Sequence, residues 1–191
     1  MSGVNFTIAQ EGIELLREAR GTTMVSLEAV IIARNDMAWG TVRIHLADAV
    51  IDIAVGLQDL PLNSDGDVEE FGVLTVSEAE PGSLSVEGVD KEAEWYNVGM
   101  PVTGITLVND HVSAFEGGRE TMERSFTQAI VFTLADGSHL VLDKGAWFSE
   151  MITIGKGAAW EDCVYDSSQD WENDPEEPEV RYVWKRTLEG L

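Results

Sequence analysis

The sequence predicts an α+β protein dominated by antiparallel β structure, with an N-terminal helix followed by two similar β-meander units. Three observations carry this. Helical periodicity is confined to one stretch, FTIAQEGIELLREARG, at residues 6–21. Most later apolar runs are β-rich or alternate with a period of two, and short polar turns join them instead of the long crossovers that parallel strands require. Last, a succession of strand, strand, Leu-Ala-Asp turn and strand occurs twice in the same order.

In the helix, Ile13, Leu15, Leu16 and Ala19 form an apolar stripe, Glu14 and Glu18 lie one turn apart, and Gly21 is the stop. Strands follow at residues 25–32, 42–46, 50–55 and 72–76, and again at 105–108, 129–134, 139–142 and 151–154. VRIHLADAVIDI (42–53) aligns with IVFTLADGSHLV (130–141); before it MVSLEAVII answers PVTGITLVN, and after it EFGVLTV answers FSEMITI. Three blocks in one order point to an internal duplication. The expected organisation is one compact domain over 1–191, with a first β-unit at 22–80, a second at 98–157, and an acidic tail with a last strand at 158–191. Pro81-Gly82 and the charges around it predict an exposed connection between the units. Residues 115–125 read as a hairpin tip, and VRYVWKRTL (180–188) alternates well enough to return to a sheet edge.

At 191 residues the chain is long enough to bury a core without disulfides, and its single Cys163 has no partner for one. No basic-then-apolar leader opens it, and no apolar run approaches the ~20 residues that span a bilayer. A cytoplasmic protein without a membrane partner is the expectation.

The net charge of −23 is concentrated in two segments. Residues 57–96 carry eleven acids and one base, and residues 157–180 carry nine acids and no base. Charge of this sign repels phosphate backbones, so direct nucleic-acid binding is not expected. It attracts a basic protein partner, or it serves solubility alone.

The chemistry-bearing residues give no recognised catalytic spacing. Asp136, His139, Asp143 and Glu150 fall close together, but His139, Val141 and Asp143 share one strand face opposite Leu140 and Leu142, which predicts a solvent side. Asp136-Gly137-Ser138 reads as turn chemistry. His45, His111 and His139 match no zinc pattern, so no metal, cofactor or catalytic residue is assigned. Cys163 follows Glu161 and Asp162 and lacks the cationic neighbour that a nucleophilic thiol needs. NSDGDVEE (63–70) looks like a calcium loop, yet aligning its Gly66 with the EF-hand glycine puts Pro61 and Gly72 at ligand positions.

The aromatics are the better candidates. Trp95, Trp147, Phe148, Trp160 and Trp171 lie in or near acidic loops with Asp162, Asp166 and Asp170, as aromatic anchors in polar rims do at interfaces. Trp147 and Phe148 also suit the alternative role of closing the end of a sheet core.

From Ala129 through Gly137, and on through Trp147-Phe148-Ser149-Glu150 to Ile154, the chain resembles uncharacterised small acidic bacterial proteins with an A-I-x-F-x-L-x-D-G … W-F-S-E-x-I-x-I pattern. It is also broadly similar to the immunity proteins of bacterial toxin systems. The resemblance covers about a quarter of the chain and transfers no functional residue. It implies a non-enzymatic module that neutralises or regulates a basic partner. The alternatives are a hydrolase or metal-dependent enzyme built from the three histidines and carboxylates, and a DNA-mimic inhibitor.

Overall fold

The apolar stripe near the N-terminus becomes helix α1 (Gln10–Ala19), which enters from an extended Ala9 with no side-chain cap. Packing holds it instead: Leu16 and Ala19 are fully buried. At Gly21, where φ is 89°, the chain reverses and the amide donates to Val102 O at 2.8 Å. The computed structural model describes residues 3–191 apart from 34–35, 62–67, 81, 83, 86–88 and 172–178.

Among the described residues ten strands belong to one sheet, antiparallel except where β1 (Val4–Phe6) lies parallel to β7. β2 (Thr23–Ala33), β3 (Met37–Leu46), β4 (Val50–Pro61) and β5 (Val68–Glu78) pair in succession. So do β6 (Glu94–Glu116), β7 (Arg119–Leu134), β8 (His139–Asp143) and β9 (Met151–Gly157). Pairings of β2 with β6 and of β3 with β9 join the two meanders. Strands β2, β3, β9, β8, β7 and β6 therefore close a ring, which removes their free edges.

Two partner switches shape what lies outside the ring. β3 pairs with β9 at Met37–Trp39 and with β4 from Thr41, the change falling at Gly40 with φ 67°. The β4–β5 hairpin thus peels away from the ring. On β6, residues 94–101 pair with β2, whereas residues 106–116 pair with β10 (Val180–Gly190), the edge-returning strand expected from its alternation.

Three apolar clusters result among the described residues. The ring interior packs Leu27, Ile44, Ile105, Phe132 and Leu142 with α1 and the inner face of β4. Leu60, Phe71, Val73, Val112 and Phe126 form a second cluster between the β4–β5 hairpin and the long β6–β7 arm. A third, around Val131 and Val141, is covered by Trp160, Cys163 and Val164.

That third cluster overturns one expectation. Val141 and Asp143 are buried, not solvent-facing, because short 3-10 turns at Glu161–Cys163 and Ser167–Trp171 carry the tail back over this face. The connection between the meanders is also more structured than its composition implies. Leu84 is buried and its amide donates to Glu28 Oε1 at 3.0 Å, while Arg43 donates to Gly82 O. From Glu94 onward the supposed connector is already strand β6. Trp95, Glu28, Arg43 and Asp52 consequently sit side by side across four strands, with Arg43 bidentate on Asp52 at 2.8 and 2.9 Å. Among the described residues, no helix is long and apolar enough to cross a membrane.

Candidate functional site

The loop between β8 and β9 is built to hold an aromatic pair. Asp143 Oδ1 accepts the Gly145 amide at 2.6 Å, and Gly145 takes a φ of 67°, so the chain turns sharply after β8. Further on, Ser149 donates its amide to Ala146 O and accepts the Met151 amide on its hydroxyl. The loop then presses on β5 at Gly72, whose amide donates to Trp147 O at 2.7 Å. A Cβ at Gly72 would stand 2.5 Å from Ser149 O, so only glycine permits this approach. Trp147 turns inward toward Phe71, with ring centroids 6.4 Å apart. Phe148 meets Trp147 edge-on at 5.8 Å and stays 62% exposed.

Trp171 reaches the same place from the tail. The Tyr165 amide donates to Asp143 Oδ2 at 3.0 Å, and the Tyr165 carbonyl accepts from Arg186 at 2.9 Å. Asp110, fully buried, accepts two bonds from Arg186 and one from the Ser167 hydroxyl, which itself accepts Trp184 Nε1. Asp166 caps the Ser168 amide and hydroxyl; those bonds hold its carboxyl below the usual range. Tyr165 OH donates to Asp170 at 2.7 Å, and that bond together with burial pushes the phenol up to about 12. So anchored, Trp171 packs 6.3 Å from Trp147 and 5.9 Å from Tyr182, with the Arg124 guanidinium 5.7 Å from its ring.

The structure therefore brings Trp147, Phe148, Asp170 and Trp171 together, and places the exposed Asp166 on the same short helix-turn segment. Trp160 is half-buried against the third cluster, and Asp162 is exposed on the adjoining turn. Trp95 belongs elsewhere: it is 59% exposed at the start of β6, its ring 4.6 Å from that of His45. Of the Trp147-Phe148 pair, Trp147 closes a core and Phe148 stays exposed.

The histidines take separate partners. His45 contacts Glu28 at 3.2 Å, His111 lies between Ser125 and Thr187, and His139 contacts Thr133 at 3.3 Å. Among the described residues, no group of three His, Cys, Asp or Glu side chains is placed to hold a metal ion. The calcium-like turn at 63–67 lies outside the described residues.

Sequence reasoning missed Lys144. It is fully buried, its ammonium 4.5 Å from the Phe71 ring and 4.8 Å from that of Phe126, and it has no hydrogen-bond partner among the described residues. Burial pushes the amine down to about 8, against the pull of Asp143, Asp170 and Asp110. Neighbouring Asp143 is pushed up by burial, although Gln128 and two amides bind it. Arg124, also buried, is lowered by desolvation, with Glu69 and Tyr182 partly offsetting this. A lysine next to an aspartate at a strand end reads as surface, and no local signal marks it otherwise.

No family model, curated protein or solved structure matches the chain.

Proposed function

We propose that this protein is a non-enzymatic binding module that holds a basic protein partner against the Trp147–Phe148–Trp171 face. One observation carries the reading: aromatics from two loops distant in sequence converge, with Phe148 left projecting. Half-buried Trp147, packed edge-on against Phe148, restrains this exposed anchor and so lowers the ordering cost of using it in an interface. The exposed acids of the tail, Glu161, Asp162 and Asp166, supply a rim that steers a cationic partner. A catalytic reading would need the histidines together, and each has its own neighbours.

The same reading places the protein in the cytoplasm and takes the two meanders as copies of one unit. Supporting the latter, Ala47 in the first Leu-Ala-Asp turn donates to Thr23 O, and Ala135 in the second donates to Pro101 O, while Thr23 and Pro101 are themselves paired across β2 and β6.

The test is affinity capture from the native host at low and high salt, followed by titration of the purified partner. A basic partner whose affinity falls with salt, and at least tenfold with Phe148→Ala, is expected. Binding indifferent to both changes overturns the proposal.

A further inference from the structure

Away from the aromatic face, the ring has an opening that its core does not fill. A cavity of 320 Å³ lies against the inner surfaces of β2, β6, β7, β8 and β9, five of the six ring strands. Its walls are aliphatic: Leu27, Leu134, Leu140 and Ile154 all belong to the ring's apolar cluster or pack on it. Leu27, Leu134 and Leu140 form its floor, each at most 3% exposed, while half-buried Val98 and Ile154 stand at its sides and offer the apolar surface. Mouths of β-barrels are a recurrent place for small-molecule sites.

Size and polarity narrow the occupant. An apolar cavity of about 150 Å³ accepts one benzene, so this one accepts a molecule roughly twice that size. At the rim stands the phenol of Tyr96, which offers a flat face and a hydroxyl; Trp95, its neighbour on β6, turns its ring to the other face of the sheet against His45. The Tyr96 hydroxyl donates to Glu94 at 3.3 Å, and Glu94 is in turn paired with Lys91 at 3.3 Å, which neutralises that carboxylate. Lys91 also donates to Ile31 O, which ties this pair to β2. The remaining lining charges are one acid, Asp36, and one base, Lys156. With opposite signs at one mouth, neither an anionic nor a cationic head is selected.

We propose that the open end of the ring binds an uncharged, flat, largely apolar molecule of about two fused rings, stacked near Tyr96 with its body beside Val98 and Ile154. This site is separate from the partner-binding face and does not depend on it.

N-phenyl-1-naphthylamine, a neutral fluorescent two-ring-system probe, tests this directly. The intact protein is expected to bind it at one saturable site with a blue-shifted emission and energy transfer from tryptophan. Val98→Trp, a substitution at a half-buried lining position, should weaken binding at least tenfold by filling the space. Phe148→Ser should leave binding unchanged, which separates this cavity from the exposed aromatic face. A naphthalene sulfonate and a naphthylmethyl-ammonium of like size should both bind more weakly than the neutral probe. Absence of saturable binding, equal binding by Val98→Trp, or loss of binding with Phe148→Ser overturns the proposal; preference for a charged probe overturns its assignment to an uncharged ligand.

Discussion

Replacing Lys144 by Met should raise stability at neutral pH and abolish a pH dependence that the native protein shows. The amine is fully buried between two phenyl rings and titrates near 8 in the fold. In the unfolded chain it titrates near ~10.4. Between these values the unfolded state holds more protons, so folding becomes more favourable as pH rises. Integrating the difference gives about 2 kcal/mol of added stability between pH ~7 and ~9.5. Tyr165, raised to about 12, opposes this only above its ordinary value near ~10, where folded-state stability falls again with pH. At pH ~7 the whole cost of holding the ammonium is present, roughly 3 kcal/mol. Met fills similar volume against Phe71 and Phe126 but forfeits the cation–π attraction, leaving a net gain of about 1–2 kcal/mol. Urea unfolding followed by tryptophan emission at several pH values measures both effects. Native stability that is flat over this window, or a Met variant that keeps the native slope, would refute the reasoning.

Other consequences are equally direct. Gly72→Ala should lower stability by about 1–3 kcal/mol and red-shift tryptophan emission, because its Cβ would force the Trp147–Ser149 backbone away from β5; an unchanged urea midpoint would show that the loop yields freely. Arg186→Leu should cost about 3–5 kcal/mol by stranding the buried Asp110 carboxylate, and Asp110→Asn in the same chain should recover part of the loss; additivity of the two substitutions would argue against coupling. Glu28→Ala removes the acceptor of the Leu84 amide and the partner of His45, so trypsin should cleave at Lys91 several-fold faster than in the native protein; equal cleavage rates would mean that the connection is held by other contacts.

Local pattern was legible where strands pair with their neighbours in sequence. The turn at Asp136-Gly137-Ser138 is as its residues require: Asp136 accepts the Ser138 amide at 2.9 Å, and Gly137 has φ 82°. The helix stripe and the alternation of the last strand were likewise written in the residues that form them. Harder to read was where a second layer would lie. Asp143 alternates like a solvent-facing residue, yet residues some twenty positions later cover it. Of the candidate aromatics, Trp147, Phe148 and Trp171 converge, whereas Trp95 and Trp160, indistinguishable by sequence setting, pack on other partners.

The sequence by itself determined the β-rich class, the single N-terminal helix, most strand positions and the uneven distribution of charge, because propensity, period and turn chemistry act over a few residues. Closure of the ring, docking of the tail, burial of Lys144 and the cavity at the ring's open end were decided only in three dimensions. Each depends on pairings such as β2 with β6 and β3 with β9, which join residues 65–78 and 112–116 positions apart. Those contacts leave no periodic trace in either strand, since a β-strand offers the same amides and carbonyls to any partner, and packing of the completed faces selects which one it takes.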